Sequence, residues 1–334
     1  MAALAFGLVY DLLGSFPRRP GDPADVDAEF EPEETLALLE SAVRTLGHRP
    51  VRLGSPFDLV AGLGKGELPP VDVALNIAEG TRGRDREGWA PMLLQMAGIP
   101  ALGSDALTLS ATLDKHWAAT LVAGAGVRVP PQVSLESAAD AKSAALPAAF
   151  PLFVKPRWEG TAKGIRPGSR VADRAGLVAE VARIVADYDQ PALVEAFLPG
   201  AEYTVTVVGN APPRALPVLQ RALDASTRIG VHAIEGHRAP EAVVPITPGR
   251  LGGAGERELV DQALRAYAAL ACRDFARADF KLDAQGRAHF LEMNPLPTFD
   301  PAGSFGILAE LDGRAPDALV AEVLAEGLAR LGLA

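Results

Sequence analysis

The chain has 334 residues, of which 49% are hydrophobic and 22% charged, and its formal net charge is −10. This length exceeds what one small core needs and suits two or three packed lobes of an ordinary globular protein. The negative charge argues against a general nucleic-acid binder, which needs a basic face for phosphates. A few well-placed cations still suffice to bind one nucleotide.

Cysteine content and the first residues bear on the compartment. Cys272 is the only cysteine, which excludes an intramolecular disulfide and fits a reducing compartment. The apolar start Ala2–Tyr10 lacks a basic leader and runs into Asp11, so we interpret it as a first strand and not as a signal peptide. No apolar run approaches the roughly 20 residues that span a bilayer. We expect a cytoplasmic protein with no nucleic-acid or membrane partner.

The first third of the chain alternates strand and helix patterns. Short apolar runs predict strands, and apolar residues at helical spacing predict helices. The predicted strands are Leu4–Tyr10, Pro50–Leu53 and Val71–Ile77, and the helices are Pro32–Leu46, Trp89–Ala97 and a longer one over Asp105–Ala123. This βαβ rhythm predicts a parallel sheet covered by helices, with ligand contacts at the strand ends.

The rest of the chain mixes strands, helices and a hairpin. It begins after Val127–Pro131, where two prolines favour an extended linker. The predicted strands are Phe150–Lys155, Ala192–Phe197 and Glu202–Val208, the helices are Arg174–Tyr188, Glu256–Ala271 and Asp317–Leu331, and the hairpin joins Arg277–Leu282 to His289–Met293.

The hairpin carries a candidate metal site. Glu292 and Asn294 are two residues apart on one strand, so their side chains point the same way. If Asp279 on the neighbouring strand faces that side, three oxygen donors converge, a set that suits Mg²⁺. Arg277 shares this face. The alternative is the solvated face of an ordinary hairpin, and so short a pattern does not by itself exclude it.

A glycine-bearing loop follows the strand that ends at Lys155. The loop contains Gly160, Thr161, Lys163 and Gly164, whose backbone N–H groups and lysine charge suit phosphate oxygens. It is not a Walker A motif, because the GxxxxGK[ST] order is absent. The alternative is a simple turn whose lysines extend to solvent.

A third segment suits a nucleoside. The strand end Leu193–Leu198 offers backbone N–H and C=O groups to an adenine edge, and Glu202 is placed to accept ribose hydroxyls. Taken alone, Glu202 is equally well an exposed acid after a turn. The order of the three features, and not any one of them, indicates nucleotide chemistry.

Taken together, these segments resemble the ATP-grasp superfamily and, within it, the D-alanine–D-alanine ligase family. The resemblance covers about residues 71 to 300, in order. It is carried by Leu75-Asn-Ile-Ala-Glu79-Gly80, Gly98-Ile-Pro-Ala-Leu-Gly103-Ser104, Leu113-Asp-Lys115, Ala125-Gly-Val-Arg-Val-Pro130, Val154-Lys155-Pro156, Glu159-Gly160-Thr161, Val194-Glu195, Gly200-Ala-Glu202-Tyr-Thr204, Arg277-Ala-Asp279 and Leu291-Glu292-Met-Asn294-Pro-Leu-Pro297.

The resemblance implies an α/β fold with three-lobed ATP-grasp architecture. The implied parts are an N-terminal Rossmann-like parallel sheet over residues 1–110, a small central α+β lid domain over 111–200 and a C-terminal α+β domain with the magnesium site over 201–334. The implied activity is an ATP-dependent ligase that phosphorylates one carboxylate and lets an amine attack the acyl phosphate. Amino-acid-like substrates and a homodimer are also implied.

Family roles carry over to the matching residues. Arg277 would stabilise the charge of the tetrahedral intermediate, and Thr161 is the second catalytic candidate. Glu195, Phe197 and Leu198 would contact adenine, and Glu202 would contact ribose. Lys115 and Lys155 would contact the ATP phosphates, over which the loop with Gly160, Thr161, Lys163 and Gly164 would close. Asp279, Glu292 and Asn294 would bind two Mg²⁺ (or Mn²⁺) ions.

Departures from the family pattern concern substrate binding. The family's N-terminal loop carries a glutamate that grips a substrate ammonium, but Tyr10–Ser15 differs, and Asp11 is either its replacement or a helix cap. Thr298 stands where the family has a glycine that joins the oxyanion hole. The family serine for the second substrate's carboxylate falls near Gly303-Ser304, one position out of register.

The family's mobile loop supplies a lysine to the γ-phosphate, but this chain has none between Lys163 and Lys281. His237, in Glu235-Gly-His-Arg238, falls roughly where that lysine would, so we predict a catalytic role for it. The candidate substitutes are Arg221, Arg228, His232, His237 and Arg238.

Three functions follow from these observations: D-alanine–D-alanine ligation, ligation of other amino-acid or amine and carboxylate substrates, and nucleotide binding without catalysis. The complete metal trio and the phosphate lysines count against the third. The altered loops favour the second over the first.

Overall fold

The computed structural model describes residues 2–221, 223, 229 and 251–334. Within these ranges three β-sheets follow one another along the chain, and helices cover each of them. The first sheet is parallel, and the other two are antiparallel. This confirms the predicted α/β architecture, in which a Rossmann-like sheet precedes two α+β parts.

The first sheet has the strand order β2-β1-β3-β4. Its elements are β1 (Ala5–Val9), α1 (Glu33–Thr45), β2 (Arg49–Gly54), α2 (Pro56–Lys65), β3 (Val73–Asn76), α3 (Trp89–Met96) and β4 (Ala101–Leu102). Phe6 and Leu36 form its core together with Phe305 and Leu324 from the last two helices of the chain. Burial of each such side chain contributes about 1.5–3 kcal/mol to the free energy of folding. The two ends of the chain therefore share one core.

Two helices, α4 (Ala106–Leu113) and α5 (Lys115–Gly124), lead out of this sheet. They replace the single helix predicted over Asp105–Ala123, and that prediction is wrong. Asp114 interrupts the helix in an extended conformation, and its carboxylate accepts the Trp117 N–H at 3.1 Å to cap α5. The same carboxylate accepts two bonds from Arg157 at 2.8 Å, a distant partner that local helical periodicity does not reveal.

The central sheet has the strand order β5-β8-β6-β7. Helix α7 begins after Asp173, whose carboxylate accepts the Gly176 N–H at 2.8 Å, and it buries Leu177, Val181 and Ile184 at helical spacing. The elements are β5 (Gln132–Leu135), α6 (Ala138–Ser143), β6 (Leu152–Pro156), β7 (Arg170–Val171), α7 (Arg174–Tyr188) and β8 (Ala192–Ala196). Helix α7 has the bounds that the sequence pattern predicted.

The third sheet has the strand order β10-β9-β12-β13, and β11 also pairs with β9. Helix α5 packs into its core through Ala118 and Val122. The elements are β9 (Glu202–Val208), β10 (Arg214–Ala215), β11 (Leu219–Arg221), α8 (Gly253–Ala269), β12 (Phe275–Leu282), β13 (Ala288–Asn294), α9 (Ser304–Leu311) and α10 (Pro316–Arg330). Over the described ranges, no helix combines the length and apolarity needed to cross a bilayer.

Asp274 connects the first and third sheets. It lies just before β12 and is fully buried. Its carboxylate accepts the Gly103 N–H at 2.7 Å, the Asn210 amide at 3.0 Å and the Arg330 guanidinium at 2.6 and 2.8 Å. These donors follow β4, follow β9 and end α10, so one carboxylate joins segments that are far apart in the sequence.

Candidate active site

A cavity of about 470 Å³ has walls from all three parts of the chain. Gly160, Gly164 and Asn294 lie beside lining residues without lining it themselves. His237 falls outside the described residues, as do Arg228, His232 and Arg238. The predicted site residues that line the cavity are Lys115, Lys155, Thr161, Lys163, Glu195, Phe197, Leu198, Glu202, Arg277, Asp279 and Glu292.

The hairpin brings two of the predicted metal ligands to one wall. In the antiparallel pairing of β12 with β13, Asp279 lies opposite Glu292 and Arg277 lies opposite Asn294. The turn between the strands contains Gly286 at φ 77°, a left-handed conformation that favours glycine. Asp279 and Glu292 both line the cavity, whereas Asn294, which strand alternation predicted on the same face as Glu292, does not.

Each carboxylate of the hairpin has a cationic partner. Lys115 Nζ lies 3.0 Å from Glu292 Oε2, and Arg277 Nη2 lies 2.9 Å from Asp279 Oδ2. Burial opposes ionisation, but the two cations hold the pKa of both carboxyl groups below the ordinary range. Among the residues that the structure describes, no three His, Cys, Asp or Glu side chains form a metal cluster. The predicted trio has two carboxylates, and its third donor is the Asn294 amide.

Two further lysine–carboxylate pairs line the cavity. Lys155, at the end of β6, has its Nζ 2.9 Å from Glu195 Oε2 on the neighbouring strand β8. Lys281 on β12 has its Nζ 3.0 Å from Glu202 Oε2 on β9. The antiparallel registers of the two sheets therefore bring both predicted nucleoside contacts, Glu195 and Glu202, to one cavity.

The glycine loop 160–164 is fastened to the segment that precedes α1. Glu29 accepts the Gly160 N–H at 2.5 Å, and Asp25 accepts the Gly164 N–H at 2.8 Å and the Tyr188 hydroxyl at 3.0 Å. A Cβ at position 160 would lie 2.6 Å from Glu29 Oε1, so a larger residue there would displace the Glu29 carboxylate. Two N–H groups of the predicted phosphate loop therefore donate to carboxylates in this structure.

Lys163 belongs to a buried charge network. Its Nζ lies 2.9 Å from Glu29 Oε2 and 2.6 Å from Glu159 Oε2, and Arg86 donates to both oxygens of Glu29 at 2.8 Å. Burial opposes ionisation of Glu29, but Arg86 and Lys163 together lower its pKa to about 2. The predicted phosphate contact would require Lys163 to leave two carboxylates.

Glu31 has different surroundings, although only one residue separates it from Glu29. Its Oε2 accepts the Thr35 hydroxyl at 2.8 Å and the Thr298 hydroxyl at 3.1 Å, and no cation of the described ranges contacts it. Burial raises its pKa. Its Oε1 has no described partner and is not enclosed, so this oxygen remains open on the cavity wall.

The sequence patterns missed Glu29 and Glu31, because the segment before α1 matches neither a strand nor a helix pattern nor any of the motifs. Asp11, the replacement considered for the family glutamate, accepts the Gly80 N–H at 2.8 Å. It neither caps a helix nor lines the cavity. The available signal was Glu29-Phe30-Glu31, two acids around an aromatic residue immediately before α1.

Comparison with known sequences identifies one family. The model of the D-ala D-ala ligase C-terminus matches residues 121–325. The chain is also 33% identical over 270 residues to the D-alanine–D-alanine ligase of Sodalis glossinidius, with 79% of this chain and 71% of that protein covered.

Solved structures share the fold. The D-alanine–D-alanine ligase from Bacillus anthracis complexed with ATP has a TM-score of 0.70 at 20% identity, with 98% of each chain covered. The VanG D-Ala:D-Ser ligase from Enterococcus faecalis has a TM-score of 0.70 at 20% identity, with 97% of this chain and 99% of that chain covered. Together with the family match over more than half of its residues, these findings show that the chain belongs to the D-alanine–D-alanine ligase family and is an ATP-dependent ligase that forms carbon–nitrogen bonds.

Proposed function

We propose that this protein joins two amino-acid-like substrates through an acyl phosphate. ATP would phosphorylate the carboxylate of one substrate, and the amine of the other would then attack the activated carbonyl. The observation that carries the proposal is a single cavity lined by Asp279, Glu292, Lys115, Lys155 and the strand end Glu195–Leu198. Such a cavity can align a nucleotide with a carboxylate, which is the main requirement of phosphoryl transfer.

ATP is proposed to lie along the cavity from β8 to the hairpin. Phe197 and Leu198 would contact the adenine ring beside the backbone of Glu195, and Glu202 would accept the ribose hydroxyls. Lys155 and Lys115 would bind phosphate oxygens in exchange for their present carboxylate partners. The predicted closing loop, which contains Gly160, Thr161, Lys163 and Gly164, would cover the phosphates.

The hairpin is proposed to hold magnesium. Asp279 and Glu292 face each other across adjacent strands, and Asn294 follows two residues later, so the donor set consists of the hard oxygens that Mg²⁺ or Mn²⁺ accepts. Two ions beside the triphosphate would neutralise charge on its oxygens. The carboxylates would then release Lys115 and Arg277 to bind phosphate and substrate.

Glu31 is proposed to hold the ammonium group of the substrate that is phosphorylated. Its open Oε1 supports this role, because a carboxylate and an ammonium form a charge-assisted hydrogen bond. Arg277 would stabilise the negative charge that develops on the attacked carbonyl oxygen. Thr161 would position the substrate from the glycine loop, and His237 stays a predicted catalytic residue.

The identity of the substrates separates two versions of this function. The relatives are named for ligation of D-alanine with D-alanine or D-serine, so a D-amino-acid dipeptide is the first version. A different pair of amino-acid-like substrates is the second. It is favoured by Thr298, whose side chain bonds to Glu31 at 3.1 Å where the family resemblance implies a glycine.

An ADP-release assay with magnesium across a panel of D- and L-amino acids tests the proposal. Release that depends on D-alanine would support the first version, and release that depends on another acid would support the second. ATP binding with no release for any substrate would contradict the proposed reaction and leave a nucleotide-binding protein.

We propose that the protein is cytoplasmic and forms a homodimer. We also propose that the boundaries between its domains lie near residues 110 and 200. The central sheet has a core of its own, formed between Leu135 and Val194, which supports a separate central part, whereas the first and third sheets share a core that contains Phe6 and Phe275. The buried Cys272 fits a reducing compartment. Phe57 on α2 and Met96 on α3 are 68% and 78% exposed, which supports contact between copies there. Light scattering tests this, and a monomer at all concentrations would contradict it.

A further inference from the structure

Six cationic side chains line the cavity over the described residues. Five of them lie within about 3 Å of a carboxylate, as ordinary ion pairs do. These five pairs are Lys115–Glu292, Lys155–Glu195, Lys163–Glu29, Arg277–Asp279 and Lys281–Glu202. The sixth cation is Arg221, whose guanidinium has neither a carboxylate partner nor a hydrogen bond within the described ranges.

An unpaired guanidinium in a partly buried position is unfavourable. Arg221 lies at the end of β11, half-buried, and both its burial and the nearby Arg277 lower its pKa. An arginine keeps its charge even so, because its pKa starts far above neutral. The charge therefore stays on the wall of the cavity, where an anionic ligand would offset its desolvation.

The surroundings of Arg221 indicate which anion fits. Its backbone pairs with Glu202 across β11 and β9, and its charged neighbours are Arg277, Asp279, Glu202 and Glu292. These side chains are the proposed contacts of ribose, magnesium and the reacting centre. An anionic group of ATP that lies beside these side chains would therefore be one of its phosphates. A planar guanidinium also matches two phosphate oxygens at once.

We propose that Arg221 binds the phosphoryl group while it moves from ATP to the substrate carboxylate, and this inference rests on the proposed function. A carboxylate oxygen attacks the γ-phosphorus, the new O–P bond forms, and the bond to the β,γ-bridging oxygen breaks, so that ADP leaves with the electron pair. The amine then attacks the acyl carbon, phosphate leaves with the C–O electron pair, and the nitrogen loses a proton. In this proposal Arg221 binds two terminal oxygens of the phosphoryl group in both steps.

Calorimetry of an Arg221→Met variant tests the proposal. The probes are the magnesium complexes of ADP and of the non-hydrolysable β,γ-imido analogue of ATP. A lost charged hydrogen bond of about 1.5–3 kcal/mol corresponds to roughly a 10- to 100-fold weaker analogue complex. We expect that loss for the analogue only, with ADP affinity changed by less than about twofold.

Arg214→Met is the matched control, because Arg214 lies on β10 of the same sheet, outside the cavity, with its Nη2 2.6 Å from Glu322. It should leave both affinities unchanged. If the methionine variant at position 221 does not fold, Arg221→Gln carries the same comparison, since it keeps hydrogen-bond donors and removes the charge.

Two results would overturn the assignment. Equal loss of ADP and analogue affinity would place Arg221 on the α- or β-phosphate or give it a structural role. Unchanged analogue affinity with a raised KM for the amino acid would place it on the substrate carboxylate. A wild-type protein that binds no Mg–ATP and releases no ADP would instead refute the proposed function itself.

Discussion

The glycine loop and the β12–β13 hairpin both bury opposite charges, but they combine them in different ways. At the glycine loop, Glu29 is shared by Arg86 and Lys163, and all three side chains are at most 2% exposed. At the hairpin each acid has one cation, and the Glu292 side chain is 27% exposed beside Lys115. The first arrangement is closed, whereas the second has an open side.

This difference separates an anchor from a binding site. When one carboxylate pairs with one cation on a cavity wall, both can change partners. The carboxylate can bind a metal ion and the cation can bind a phosphate, because each incoming charge replaces the one that leaves. A carboxylate shared by two cations holds segments together, since removing it leaves two buried cations with Glu159 as their only remaining described counter-charge. We therefore interpret Glu29 as an anchor of the glycine loop and Glu292 as a ligand.

The largest expected effect comes from Glu292→Ala. Loss of a metal ligand should reduce ADP release by roughly 1000-fold, a magnitude typical of removing one strong electrostatic contact. Thermal unfolding should show an intact fold, because the side chain is on the open side of the hairpin. Glu310→Ala on the exposed face of α9 is the control. Near-normal ADP release in magnesium would refute the metal assignment.

The next prediction compares the contributions of Glu29, the proposed anchor, and Glu31 to the free energy of unfolding. Glu29→Gln should lower the free energy of unfolding by about 3 kcal/mol, because Arg86 and Lys163 lose their shared counter-charge. Glu31→Gln should change it little, because burial already disfavours the charged form of Glu31. Urea unfolding of both variants measures the difference. Equal changes in the free energy of unfolding would contradict the view that Glu29 is an anchor and Glu31 is not.

A smaller effect is expected at the nucleotide end. Lys155→Ala should weaken ATP binding by about 10- to 100-fold, in the range of one charged hydrogen bond, and leave amino-acid binding nearly unchanged. Lys142→Ala, an exposed lysine on α6, is the control for loss of charge. Calorimetry that shows the same loss for ATP and the amino acid would contradict the predicted phosphate role.

The last prediction concerns the pH dependence of stability. Glu87 follows Arg86, and burial raises its pKa from 4.5 to about 7. A raised folded-state pKa means that its contribution to stability is complete below pH 4.5 and is lost as the pH rises towards 7. Glu87→Gln should remove that decline, a slope of at most about 1.4 kcal/mol per pH unit. Urea unfolding from pH 5 to 8 checks this, and an unchanged slope would refute it.

Local patterns were sufficient for much of the fold. Residue patterns predicted the hairpin whose two strands carry Asp279 and Glu292, and they predicted the bounds of β9 and α7. These features depend on neighbours in sequence or on a short hairpin. Residue types in order were also enough to indicate the nucleotide end.

Contacts between distant segments were not predictable in this way. Glu29 bonds to Gly160 across 131 residues, and neither position carries a local pattern that indicates the other. The break at Asp114 likewise depends on Arg157, 43 residues away. The sequence offers Arg221 only as one of five basic candidates for the γ-phosphate. Within the described ranges its lack of an ion pair depends on the pairs that the other five cavity cations form, and these pairs join distant segments.

Asp274 has a consequence for how the enzyme opens. Because this carboxylate bonds to Gly103, Asn210 and Arg330, the first and third sheets cannot separate without exposing it and the arginine together. An opening of the cavity would therefore displace the central sheet more easily than it would part the other two. The bonds from Gly160 to Glu29 and from Gly164 to Asp25 are the ones that oppose such a displacement.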